Sequence, residues 1–106
     1  MSRRVLFEPE ASAELEEAAI WYEAQRSGLG RAFLTAVDRA IEHIAAWPDA
    51  RLSVPGVPAS LSVRQFPVSR FPYRIAYLVT SQELRVLAVA HARRRPGYWR
   101  SRTEPR

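Results

Sequence analysis

Neither cysteine nor lysine occurs in this 106-residue chain. The missing cysteine excludes disulfides, thiolate metal sites and thiol nucleophiles, and agrees with a cytoplasmic location. Long apolar runs are also lacking. None approaches the ~20 residues that a membrane helix needs, so no membrane role is expected. Met1-Ser2-Arg3-Arg4-Val5-Leu6-Phe7 turns acidic at Glu8, with no signal-peptide core behind it. There is no glycine-rich phosphate loop, no paired His–carboxylate metal spacing and no serine-centred nucleophile elbow. The sequence therefore gives no reason to expect a cofactor or a metal.

What is present fits one small folded unit. The length is near the modal domain size, and 47% apolar residues suffice for a core. One domain over residues 1–106 is expected, with 100–106 open to being a flexible tail. All 16 basic residues are arginine, and they are segregated. Residues 1–50 carry five arginines against nine acids, a net of −4, whereas residues 51–106 carry eleven against Glu83 and Glu104, a net of +9. Compositional bias in the coding sequence accounts for the missing lysine but not for the segregation. An acidic face and a basic face are expected, the basic one suited to an anionic partner.

The periodicity changes halfway. Val5-Leu6-Phe7 reads as a short strand ended by Glu8-Pro9. Glu10, Ser12 and Glu14 then enrich the start of a helix in acids and capping groups. Ala11, Leu15, Ala18 and Tyr22 line one face of that helix. Ala13, Ile20 and Ala24 line the opposite side, so the helix is apolar twice over. Ser27-Gly28-Leu29-Gly30 is a break. A second helix follows, with Leu29, Phe33, Val37, Ala40, Ile41, Ile44 and Trp47 as one stripe and Pro48 as its stop. His43 falls on the flank of this stripe. Ala50 to Ser60 is a loop, after which the period becomes 2. Leu61 to Val68 reads as a strand, with Pro67 marking an edge or an end. Tyr73–Val79 and Leu84–His91 form a hairpin, and the last strand is apolar on both faces, as a central strand would be.

The stretch from His91 to Arg102 is the densest polar cluster. Its five arginines interleaved with Tyr98 and Trp99 suit phosphate contact and base stacking. They suit an acidic protein partner equally well, because the guanidinium fork also matches carboxylates. Trp99 is the better candidate for a packing anchor. Arg64, Arg70 and Arg74 form a second basic group. If the strands pair as read, Arg64 and Arg74 approach the His91 end of the sheet. RNA cleavage needs a base, an acid and cations for the phosphorane, and Arg74, His91 and Tyr98 with the arginine cluster include those residue types. A histidine at a strand end is more often a structural hydrogen-bonder. The acids Glu10, Glu14, Glu16, Glu17 and Glu23 read as the solvated face of the first helix.

Taken together these residues resemble the RelE/ParE superfamily of bacterial toxins from toxin–antitoxin pairs. The similarity lies in Glu10-Ala11…Leu15, Tyr22…Gly28-Leu29-Gly30…Phe33 and Ile44…Pro48. It continues in Val68…Arg70-Phe71-Pro72-Tyr73-Arg74-Ile75…Tyr77 and in Val86-Leu87-Ala88-Val89…His91…Arg94-Arg95-Pro96…Tyr98-Trp99. The resemblance implies an α+β fold: a short N-terminal strand and an antiparallel helical hairpin packed on a small twisted antiparallel sheet. It also implies a cognate antitoxin that wraps and neutralises the chain in a hetero-oligomer. The second apolar side of the first helix (Ala13, Ile20, Ala24) is the candidate antitoxin surface. The His…Arg-Arg…Pro…Tyr-Trp ending is similar to the ParE branch, linked to plasmid stabilization and growth inhibition, whose described target is DNA gyrase. That implies a target surface of Arg64, Arg70, Arg74, Arg93, Arg94, Arg95, Tyr98 and Trp99, and no catalysis. The RelE branch instead cleaves mRNA on the ribosome, which would give Arg74, His91 and Tyr98 catalytic roles, although the lysines that branch uses are absent. A copy that only binds its antitoxin is the third reading.

Overall fold

The computed structural model describes residues 3–48 and 63–103. The elements run β1 (Arg4–Phe7), α1 (Pro9–Gln25), α2 (Leu29–Ala46), β2 (Val63–Pro67), β3 (Tyr73–Val79), β4 (Glu83–His91) and a 3-10 turn (Arg100–Thr103). Pro9 opens α1 at the one helical position where a missing N–H costs nothing. Gly28 caps α2 in the left-handed region at φ 90°, where L side chains are strained. The Glu23 carboxylate accepts the Gly28 N–H at 3.0 Å and the Gly30 N–H at 3.0 Å, satisfying donors that the helix start leaves open. Gly30, placed in the break by the sequence reading, belongs to α2 and is buried. A Cβ there would stand 2.6 Å from the Ala19 carbonyl, so its bareness sets the approach of the two helices.

The stripe on α2 packs as its period requires: Phe33, Val37, Ala40 and Ile44 are buried. Trp47 does not follow it and is 65% exposed. The helix ends at Ala46 and Trp47 takes φ −135°, so the helical period no longer sets its direction. On α1, Ala11 and Ala18 are buried, while the second apolar side remains open.

The sheet order is β1-β4-β3-β2. The β2–β3 and β3–β4 pairs are antiparallel, but β1 pairs with β4 in parallel, so the sheet is mixed rather than wholly antiparallel. A parallel pair needs a long crossover, which the helical hairpin begins. Of the expected strand from Leu61, residues 63–67 are seen, and Leu61, Ser62 and the loop expected at 50–60 lie outside the described residues. Ala76 pairs with Ala88 and Tyr77 with Val86, which leaves Leu87 as an extra residue, a β-bulge in β4. The bulge puts Leu87 and Ala88 in one core with Val63, Ala76, Leu78 and Trp99, on the face away from the helices. Leu84, Val86 and Val89 pack towards α1 and α2. β4 is thus buried on both faces, as its unbroken apolar run requires. No helix among the described residues is long and apolar enough to cross a membrane.

Candidate functional site

The site grows from an unfinished strand pair. β1 stops at Phe7, and its ladder with β4 closes where the Glu8 N–H reaches the Val86 carbonyl at 2.9 Å. From Leu87 onward no strand among the described residues lies beside the β1-facing edge of β4, and unpaired backbone groups there would be costly if dry. Two side chains stand in for the missing strand. Glu14 Oε1 accepts the Val89 N–H at 3.0 Å, and Arg102 Nη1 donates to the Leu87 carbonyl at 3.0 Å. They also bind each other, with Arg102 Nη1 at 3.0 Å from Glu14 Oε1 and Nη2 at 3.3 Å from Oε2. Both side chains are mostly buried, 14% and 16% exposed. Arg85 ties the same turn down, donating to Glu8 Oε2 at 3.1 Å and to the Arg102 carbonyl at 3.2 Å.

The sequence places Glu14 on the solvated face of the first helix, and the structure corrects this. It sits three residues after buried Ala11 and four before buried Ala18, a spacing that marks the inward face. Arg102 falls in the segment read as a tail, yet Arg100–Thr103 forms a 3-10 turn that carries it back to Glu14. Residues 104–106 lie outside the described residues.

Tyr98 completes this anchor. Its hydroxyl donates to Glu14 Oε2 at 2.6 Å, the Arg94 guanidinium lies 4.0 Å from its ring centre, and that of Arg102 lies 5.2 Å away. Burial first, and the Glu14 hydrogen bond second, push its phenol well above the ordinary tyrosine range. Trp99 is 1% exposed against the back of the sheet, a packing anchor. Gly97, at φ 75°, makes the reversal that folds both aromatics inward.

Between His91 and Tyr98, Arg93, Arg94 and Arg95 are exposed. His91 pairs with Tyr73 across the sheet, their rings 5.1 Å apart, and its Nδ1 accepts the Arg93 N–H at 3.0 Å. The neutral ring therefore carries its proton on Nε2. Arg74 pairs with Ala90 and lines, with His91, Arg94, Arg95 and Tyr98, a shallow cavity of about 120 Å³. The candidate residues at 74, 91, 94, 95 and 98 are thus brought together.

Arg64 and Arg70 are not. Arg64 pairs with Tyr77, and strand alternation puts it on the Phe66 face, opposite to Arg74. Arg70 lies in the turn before β3 and lines a separate groove against α2. Ala13, Ile20 and Ala24 are exposed, and Ile20 borders an apolar hollow of about 500 Å³ with Phe7, Leu15, Ala19 and Leu34. Among the described residues, no three His, Cys, Asp or Glu side chains are grouped to hold a metal ion.

Among solved structures, one described as "Chromosomal ParDE TA system from P. aeruginosa" superposes with a TM-score of 0.70. The match covers 85% of this chain and 96% of that one at 15% sequence identity, so the likeness is one of fold. No curated protein sequence matches. The family model described as "ParE toxin of type II toxin-antitoxin system, parDE" matches residues 5–96. The chain belongs to the ParE toxin family of type II toxin–antitoxin systems.

Proposed function

We propose that this ParE-type toxin acts in the cytoplasm by binding DNA gyrase through its arginine-rich ending, without catalysis, and that a cognate antitoxin neutralises it. One observation carries the reading: the two residues that proton transfer would need, His91 and Tyr98, already make hydrogen bonds within the fold. The Tyr98 hydroxyl is 2.6 Å from Glu14, and its raised pKa leaves it a protonated structural donor. His91 Nδ1 is occupied by the Arg93 N–H. Arg93, Arg94 and Arg95, in contrast, are exposed between His91 and the anchored Tyr98, a preorganised cationic surface for an acidic protein face. The antitoxin part rests on the apolar side of α1. Ile20 is 62% exposed and Trp21 57%, and apolar surface of this kind marks a protein contact. A toxin–antitoxin hetero-oligomer is the expected resting form.

Ribosome-dependent mRNA cleavage is the second reading, favoured by the cavity that gathers Arg74, His91, Arg94, Arg95 and Tyr98. Inducible expression separates the two. The gyrase reading expects relaxed plasmid DNA with intact transcripts in the poisoned cells. Cleaved transcripts with normal supercoiling would support the nuclease. Growth unaffected by expression would leave only a copy that binds its antitoxin.

A further inference from the structure

The seam between α1 and β4 opens, near the end of the strand, into a hollow of about 200 Å³. Glu14, Glu17, Ala18 and Trp21 share one face of α1, at the three- and four-residue spacing of a helix. On that face Glu14 and Ala18 are mostly covered, yet Trp21 is 57% exposed. β4 ends at His91, which lines the same hollow, so no further strand residue among those described covers the indole. The Trp21 ring stands at 81° to that of Tyr22, 5.2 Å centre to centre, a contact that fixes its direction. By spacing Trp21 is a core residue; by position it is left open.

The opposite wall of the hollow belongs to the arginine ending, in the form of His91, Arg94 and Tyr98, with Tyr73 beside them. Arg94 lays the face of its guanidinium 4.0 Å over Tyr98, a stacking that leaves the N–H edge of the fork for a carboxylate. Tryptophan, tyrosine and arginine around an apolar recess are the residues that carry most of the energy in protein contacts. Ile20, the neighbour of Trp21 in sequence, lines the other hollow, with Phe7 and Leu34. These two exposed apolar side chains of α1 therefore open on different surfaces.

We infer that the target surface extends from the arginine ending across this hollow to α1, and that Trp21 is its apolar anchor. The inference rests on the reading that the ending binds gyrase. The hollow receives one apolar or aromatic side chain of a target segment whose carboxylates lie on Arg93, Arg94 and Arg95. Glu17, exposed on the α1 rim, sets the direction of that segment: it repels a carboxylate there, so the acids must lie on the arginine side. A nucleic-acid strand is the poorer occupant. Trp21 offers a base a stacking face, but a phosphate at every nucleotide would carry negative charge past Glu17. On this reading Ile20, not Trp21, faces the antitoxin.

Two measurements with purified gyrase and the full chain test it. The concentration of chain that halves supercoiling should rise about 30-fold in Trp21→Ala, and much less in Trp21→Phe. Trp47→Ala removes a similarly exposed tryptophan that does not line the hollow, and should leave that concentration unchanged. Trp21→Ala should melt with the parent, since an exposed side chain is lost. Hydroxyl-radical footprinting read by mass spectrometry should show Trp21 protected by gyrase and Trp47 oxidised as before. A parent chain that inhibits while Trp21 stays unprotected, or a Trp21→Ala variant that inhibits equally, would overturn the inference and leave the gyrase reading standing. A parent chain that neither inhibits nor binds gyrase would overturn both. Protection of Trp21 by single-stranded RNA and not by gyrase would overturn the inference in favour of a nucleic acid.

Discussion

Replacing Glu14 with glutamine keeps the side chain's shape and removes the charge on which four donors from three residues converge. The carboxylate serves the Tyr98 hydroxyl, both Arg102 nitrogens and the Val89 N–H. An amide can accept from one side but presents an NH₂ on the other, facing either the guanidinium or the phenol. Hydrogen bonds to a charged group are worth about 1.5–3 kcal/mol each. Stranding one partner of a fully buried pair costs about 3–5 kcal/mol. The pair here keeps some exposure, 14% and 16%, and the glutamine retains one acceptor, so about 2–4 kcal/mol is expected. For a domain of this size that lowers Tm by about 10–25 °C. Urea titration followed by tryptophan fluorescence gives the difference directly. Hydrogen exchange should accelerate at Val89 and Arg102, where the strand edge loses its substitute partner. Exposed Glu17→Gln on the same helix is the control, expected within about 0.5 kcal/mol of the parent. If Glu14→Gln also stayed within that margin, the edge-closing role would be refuted and Glu14 would be a surface acid after all.

Phe33→Ala should cost about 3–5 kcal/mol in the same titration, because Phe33 is fully buried among Tyr22, Phe71 and Tyr73; a loss under 1 kcal/mol would deny it that place. Gly30→Ala should lower stability by about 1–2 kcal/mol despite alanine's better helix propensity, since its Cβ meets the Ala19 carbonyl at 2.6 Å; a more stable variant would contradict the close helix approach. The Tyr98 phenol is raised by burial and by Glu14, so the folded state holds that proton more tightly than the unfolded chain. Its contribution is fully present below the ordinary tyrosine pKa of 10.0 and is lost as pH rises above it. Stability should fall less steeply above that pH in Tyr98→Phe than in the parent, and equal slopes would exclude the assignment.

Much of this fold can be read locally. The α2 stripe shows in sequence because Phe33, Val37, Ala40 and Ile44 share one face and one core. The apolar run in β4 announces a strand covered on both sides, which the bulge at Leu87 and the return of Trp99 make possible. The parallel β1–β4 pair does not show, because it joins segments almost 80 residues apart, such as Arg4 and Glu83. The inward position of Glu14 does not show for the same reason. Its partners Val89, Tyr98 and Arg102 lie 75, 84 and 88 residues away, and only its position between Ala11 and Ala18 hinted that it faces inward. Arg70 and Arg74 are near in sequence, but the reversal at Val68–Phe71 sends them to different surfaces.

The central claim is that the arginine ending binds rather than catalyses. The direct measurement is supercoiling by purified gyrase in the presence of the purified chain, beside ribosome-bound mRNA under the same conditions. The account predicts that the parent chain and His91→Gln inhibit supercoiling alike, that charge reversal at Arg93, Arg94 and Arg95 abolishes inhibition, and that the mRNA stays intact. Cleaved mRNA, lost ~10²–10⁴-fold in a folded His91→Gln variant while supercoiling proceeds untouched, would contradict it.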